Sequence, residues 1–155
     1  MKRAVSKIIT VVIVLLIVIQ FYQPRKNISN GMSKNDLIAV DSAMPADVKN
    51  ILTNSCYNCH SDNTHYYWYD KIAPASWLVE HDIRNAQKHL NFSDWGTYDA
   101  LKKVTLLTDI HDEVESKDMP LKIYLIMHHK AALSESERNV VMTWAEEEAA
   151  AIIRQ

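Results

Sequence analysis

Val48-Lys49-Asn50-Ile51-Leu52-Thr53-Asn54-Ser55-Cys56-Tyr57-Asn58-Cys59-His60 decides how the chain reads. Val48, Ile51 and Leu52 recur at the three- and four-residue spacing of an amphipathic helix, and Pro45 fits its first turn. That helix runs into C-x-x-C-H, the attachment signature of a c-type haem. Two thiols three residues apart lie on one helical turn, so each can add to one vinyl group of the same porphyrin. The next imidazole is then placed under the iron. Cys56 and Cys59 are the expected covalent attachment points for one haem c, and His60 the expected proximal iron ligand. Other uses of two cysteines fit less well. A thioredoxin-like pair belongs next to a βαβ pattern, and no strand pattern precedes Cys56. A zinc site wants further ligands at suitable spacing, whereas His128 and His129 are adjacent and no second cysteine pair exists. A disulfide at i, i+3 is geometrically poor within a helix and closes almost no loop.

Outward from the motif, the pattern stays helical. A second helix is expected from Pro74, with Val79, Ile83, Ala86 and Leu90 on one face. A third is expected from an N-cap at Thr97 to about Ser116, carrying Leu101, Val104, Leu107, Ile110 and Val114. Leu121 to Met127 reads as a short helix. Ser134-Glu135-Ser136-Glu137 is a capping box opening a last helix with Val141, Trp144, Ala145 and Ile152. No segment alternates with period two, so the class is all-α, a cytochrome c-like domain over 44–155. Two glycines in 155 residues argue against a phosphate-cradling loop, a dinucleotide fingerprint or a turn-rich sandwich.

The first 22 residues are different. Lys2, Arg3 and Lys7 precede an aliphatic run from Ile8 to Ile19 broken only by Thr10. Ala4 to Tyr22 as a helix would span roughly 28 Å, close to the hydrocarbon thickness. No small-residue cleavage pattern follows, so an uncleaved transmembrane anchor is expected rather than a signal segment. The basic start should remain cytoplasmic, leaving the rest on the extracytoplasmic, periplasmic side. Residues 23–43 read as a flexible polar linker. Residues 1–26 carry five basic and no acidic side chains, leaving 12 basic against 19 acidic in the remainder. Such an acidic body excludes ordinary nucleic-acid binding, which needs clustered cations.

The distal side of the iron is expected to be closed by Met119, in Lys117-Asp118-Met119-Pro120 between two predicted helices. A thioether is a soft ligand that raises the reduction potential and suits electron transfer. His128 is the alternative distal ligand, because it follows an apolar helix. Trp68, Tyr69, Trp77 and Trp95 are expected to wall the pocket. Pro74 or Ala73 is expected to supply the carbonyl that accepts the second His60 nitrogen. Lys71 and Arg84 are candidates to pair with a propionate.

The string Cys-Tyr-x-Cys-His-Ser at 56–61, Tyr67-Trp68-Tyr69, Ile72-Ala73-Pro74 with Ser76-Trp77-Leu78, His89-Leu90-Asn91-Phe92-Ser93 with Trp95, Met119-Pro120, and His128 with Ala131, Leu133 and Ser134 resembles the small membrane-anchored haem-binding domain family. This is a group of monohaem c-type cytochromes of bacterial envelopes. The resemblance covers about 44–146 and implies covalent haem on Cys56 and Cys59 with His60 axial. The Met-Pro match carries the distal ligand onto Met119. His129 and Lys130 depart from a common Pro-acidic pair. The expected function is single-electron transfer between envelope redox proteins that carry a basic docking patch, without substrate turnover. A peroxidase-type haem enzyme or a haem or gas sensor is the alternative if the distal position is open.

Overall fold

The computed structural model describes residues 2–154. Eight α-helices follow in order: α1 Lys2–Ile19, α2 Leu37–Val40, α3 Ala46–Ser55, α4 Tyr57–His60, α5 Ala75–His89, α6 Ala100–Glu115, α7 Lys122–Leu125 and α8 Glu135–Ile153. Tighter 3-10 turns cover Tyr69–Lys71, Phe92–Thr97 and His129–Ala131. The described residues form no strand, and a single antiparallel bridge joins Ile28 to Asn63. The all-α expectation holds.

Local chemistry sets the boundaries. Ser134 accepts from the Glu137 backbone while the Glu137 carboxylate accepts from the Ser134 backbone, so the capping box starts α8 as read from sequence. The N-cap of α6 is Asp99 instead of Thr97; its carboxylate accepts from the Lys102 backbone at 2.7 Å. Thr97 lies inside the preceding 3-10 turn and uses its hydroxyl on Asp94 O.

α6 and α8 form the most extensive helix pair. The contacts His111–Glu146 and Val114–Arg138 run in opposite chain directions, so the pair is antiparallel. Leu106, Leu107, Ile110 and Val114 of α6 meet Val141, Trp144 and Ala145 of α8, with Val48, Ile51 and Leu52 of α3 joining them. Each fully buried leucine contributes about 2 kcal/mol through the apolar area removed from water.

The N-terminal region differs from its expectation. α1 ends at Ile19, not Tyr22, and it includes Lys2, Arg3 and Lys7. Its uncharged part, Ile8 to Ile19, is roughly 18 Å long, short of the ~30 Å hydrocarbon layer. No helix among the described residues is long and apolar enough to cross a membrane. Residues 23–43, expected as a flexible linker, are bonded to the body. Asn27 N donates to the Tyr66 hydroxyl at 2.7 Å, and Asn27 Nδ2 donates to Ser61 O and Thr64 Oγ1. Gly96 N donates to Asn35 O at 2.7 Å. A Cβ on Gly96 would lie 3.1 Å from the Asn35 Cα, so this close approach favours glycine.

Candidate haem site

α3 and α4 meet at Cys56, which ends one helix and starts the next. Cys59 N and His60 N both donate back to Cys56 O, at 3.1 and 3.0 Å. This one-turn helix brings both thiols and the His60 imidazole to one cavity of about 610 Å³. That volume lies within the range of small-molecule and cofactor sites. α5 lines one wall with Asp82, Asn85, Ala86 and His89, at spacings of three, four and seven. α6 lines another with Leu106, Asp109, Ile110, Glu113 and Val114, the same helical stripe. Met119, Pro120, Leu121 and Tyr124 complete it. Met119, 59 positions beyond His60, therefore shares the cavity with the C-x-x-C-H motif.

His60 is held by a backbone carbonyl. Its Nδ1 lies 2.9 Å from Leu90 O. A carbonyl only accepts, so Nδ1 carries the proton and Nε2 is left with its lone pair for a metal. Burial pushes the His60 pKa down, against the opposing hydrogen bonds to Leu90 and Ala86, and keeps the imidazole neutral. Leu90 can present its carbonyl because it is the extended residue after α5. Asn91 then caps the next turn, accepting from Ser93 N, and its Nδ2 donates to Asp62 and Asp94. Phe92 is buried beneath, stacked on Tyr57 at 4.8 Å and tilted against His60 at 6.1 Å. The Tyr57 hydroxyl donates to the buried Asp36 carboxylate at 2.8 Å, and Ser93 Oγ donates to the same group. The proximal side is thus braced from residue 36 to residue 93.

The thiols are free of each other. Burial, then the neighbouring Cys59, raises the Cys56 pKa to about 12. Burial, then the Asp82 and Asp70 carboxylates, raises that of Cys59 to about 11. Both are protonated thiols at neutral pH.

The turn that carries Met119 is built by the end of α6. Lys117, at φ +63°, adopts the left-handed conformation just past the helix. Lys117 N donates to Val114 O, and Asp118 N donates to Glu113 O. These two bonds make a Schellman motif, with Met119 N adding a third bond to Glu113 O at 3.1 Å. Arg138 Nη1 of α8 donates to Val114 O at 2.9 Å and Met119 O at 3.4 Å.

Several expected pocket residues lie elsewhere. None of Trp68, Tyr69, Trp77, Trp95 or Pro74 lines the cavity. Trp95 is a core side chain set edge-on to Tyr98. Trp68 is exposed, and Trp77 Nε1 donates to Tyr22 O at 2.8 Å. Pro74 O accepts from Trp77 N at the start of α5, not from His60. Arg84 pairs with Glu80, and neither it nor Lys71 lines the cavity. His128, the alternative distal ligand, is committed on both ring nitrogens. Nδ1 donates to Tyr124 O at 3.0 Å, and Nε2 accepts from the Tyr69 hydroxyl at 2.8 Å. The aromatic cluster serves to hold the 3-10 turn at 69–71 against α7.

Sequence reasoning missed Leu90 as the His60 acceptor, because a backbone carbonyl leaves no trace in residue identity. It also missed the wall residues of α6, although their 106–109–110–113–114 spacing was available as a signal.

The donor set fits a haem. Two thiols, a neutral imidazole with one nitrogen free and a thioether share an apolar-walled cavity of suitable size. No curated protein and no solved structure matches the chain. The model of the family described as Haem-binding domain matches residues 14–147, starting inside α1 and ending inside α8. The chain therefore belongs to the Haem-binding domain family.

Proposed function

We propose that the chain is a monohaem c-type cytochrome that carries single electrons, with haem bonded to Cys56 and Cys59 and iron held by His60 and Met119. The carrying observation is the convergence of Cys56, Cys59, His60 and Met119 on one cavity. Attachment needs no oxidant. Each S–H would add across a vinyl C=C, forming one C–S bond and leaving the hydrogen on the neighbouring carbon. A bound haem supplies one-electron iron chemistry. The chain's residues do the rest. Leu90 O fixes the imidazole tautomer, and Phe92 and Tyr57 hold the ring in place. Leu106, Ile110 and Val114 of α6 supply an apolar wall, and the Schellman turn delivers Met119.

Asp82, Asp109 and Glu113 put three carboxylates on the cavity wall, which holds no lysine or arginine. This supports docking by envelope redox partners with a basic patch. Electron exchange with a basic partner is expected to slow about tenfold from ~10 mM to ~150 mM salt, checked by stopped flow. α1 is exposed from Lys2 to Val18. We place it in a membrane with its basic end snorkelling to the headgroups and the haem domain on the extracytoplasmic side.

Mass spectrometry and visible spectroscopy of the purified protein test the reading. The expected result is one haem mass added, a low-spin spectrum and a weak sulfur-to-iron charge-transfer band that Met119→Ala abolishes. Free alkylatable thiols overturn the covalent assignment. A high-spin spectrum with ready carbon monoxide binding overturns the methionine assignment.

A further inference from the structure

The residues just after α1 are fixed to one edge of the haem domain. The Gln20 side chain makes a two-way pair with the Ala73 backbone, Nε2 donating to Ala73 O and Oε1 accepting from Ala73 N, both at 2.9 Å. Two residues on, Tyr22 O accepts from Trp77 Nε1, and the two rings meet edge-on at 6.0 Å. The anchor helix therefore does not lead into a free hinge at this point.

Around that joint the surface is unusually apolar. Phe21 is 88% exposed, Tyr22 73%, Trp68 69% and Ile72 46%. These residues belong together. Ile72 precedes Ala73, the residue Gln20 grips. Trp68 is one 3-10 turn earlier, with Lys71 N donating to Trp68 O. Single exposed hydrophobes are ordinary, but a contiguous aromatic and aliphatic patch marks an interaction face. Three exposed cations lie in the same segments: Arg25 and Lys26 beyond Tyr22, and Lys71 between Trp68 and Ile72. Aromatic rings with nearby lysine and arginine are the composition of a membrane–water interface, where rings sit at headgroup depth and cations meet anionic lipid.

We infer that the face carrying Phe21, Tyr22, Trp68 and Ile72 lies on the lipid surface, so that the haem domain rests on the membrane in one orientation. The occupant is lipid because the patch continues directly from α1, whose side chains from Ile8 to Val18 are apolar on all sides apart from Thr10 and are likewise uncovered. The inference rests on α1 being seated in a membrane, and it adds which face of the domain follows it there. The cations favour anionic headgroups over neutral ones.

The test uses the haem-loaded full chain in vesicles of phosphatidylcholine and phosphatidylglycerol. Spin labels are placed through Val12→Cys, Trp68→Cys, Ile72→Cys and Leu101→Cys, one at a time. Leu101 is a well-exposed site on α6 that serves as the aqueous reference. Accessibility is read as relaxation by oxygen, which concentrates in lipid, against a water-soluble nickel chelate. The expected result is a several-fold higher oxygen-to-nickel ratio at positions 68 and 72 than at 101, with position 12 higher still. If position 12 reads as lipid while 68 and 72 match 101, the face is left for a protein partner and this proposal fails alone. If position 12 also reads as aqueous, the seating of α1 fails and the proposal with it.

Discussion

Arg138 reaches from α8 to two carbonyls on either side of the α6 terminus, Val114 O and Met119 O. A guanidinium bonding carbonyls contributes more than a neutral donor, roughly 1.5–3 kcal/mol. Here it also holds the backbone of Met119, the proposed distal ligand. Arg138→Met keeps the apolar stem and removes both bonds. The expected outcome is a haem protein that still folds and stays covalently loaded. Its sulfur-to-iron band weakens and its carbon monoxide binding rises, both measured spectroscopically. A residue with a merely structural role would lower the melting temperature and leave the spectrum alone. Lys117 gives a change of opposite sign. Its φ of +63° is a conformation that an L side chain occupies at a cost of about 1 kcal/mol. Lys117→Gly relieves that cost and gives up only an exposed ion pair with Glu135. It is expected to stabilise the protein by ~0.5–1 kcal/mol, read as a higher urea midpoint.

α6 and α8 are joined at their flank by a pair that depends on pH. His111 Nε2 lies 3.2 Å from a Glu146 carboxylate oxygen, and Nδ1 lies 3.0 Å from Asp112. The Asp112 hydrogen bond and then the Glu146 charge raise the His111 pKa above its ordinary value of 6.5. A raised histidine pKa means the folded state binds the proton more tightly than the unfolded chain. The stabilisation is complete below about pH 6.5 and is lost as pH rises through the folded value. The carboxylates are largely exposed, so the gain is small, ~0.5 kcal/mol, and screened by salt. Urea titrations at acid and alkaline pH should show it in the wild type and not in His111→Gln. At this scale the sequence carries much of the fold. Ser134 and Glu137 announce α8, and the stripes of α3 and α6 announce their buried faces. It also carries part of the candidate site: C-x-x-C-H and Met119-Pro120, singled out by residue type and spacing, line one cavity. The walls were harder to read because the aromatic run at 66–69 looks like a pocket lining by composition alone. Which way Trp77 faces depends on Tyr22, some fifty residues away. The His60 acceptor was hidden for a different reason. Any residue has a carbonyl, and it is the extended Leu90 after α5 that sets one 2.9 Å from the ring nitrogen.

Across the whole molecule, the segment before the haem motif braces the loop that follows His60 from behind the cavity. Asn27 donates to Ser61 O, Thr64 Oγ1 and the Tyr66 hydroxyl, beside the bonds these groups make to Gln87, Asn58 and Glu80, and Asn63 returns bonds to Ser29 and Gly31. These contacts close the loop that leaves His60, and Asp36 then ties Tyr57 to Ser93. The family match starting at residue 14 agrees with a unit that includes this segment. Two shortened chains separate a brace from a tether. A chain beginning at residue 23 loses α1 and keeps every bond of Asn27. A chain beginning at residue 32 loses Asn27 to Gly31, so Ser61, Thr64 and Tyr66 keep only their bonds to Gln87, Asn58 and Glu80. Hydrogen bonds contribute about 1 kcal/mol each, and the lost bonds are partly refilled by water. The second chain is therefore expected to be less stable than the first by ~2–3 kcal/mol in its haem-loaded form. Amide exchange at 61–66 should quicken by ten- to a hundredfold, because roughly 1.4 kcal/mol corresponds to each tenfold change in local opening. A passive tether would leave the two chains with equal urea midpoints and equal exchange. Equality would remove the brace and return residues 23–43 to the role of a simple connection between α1 and the haem domain.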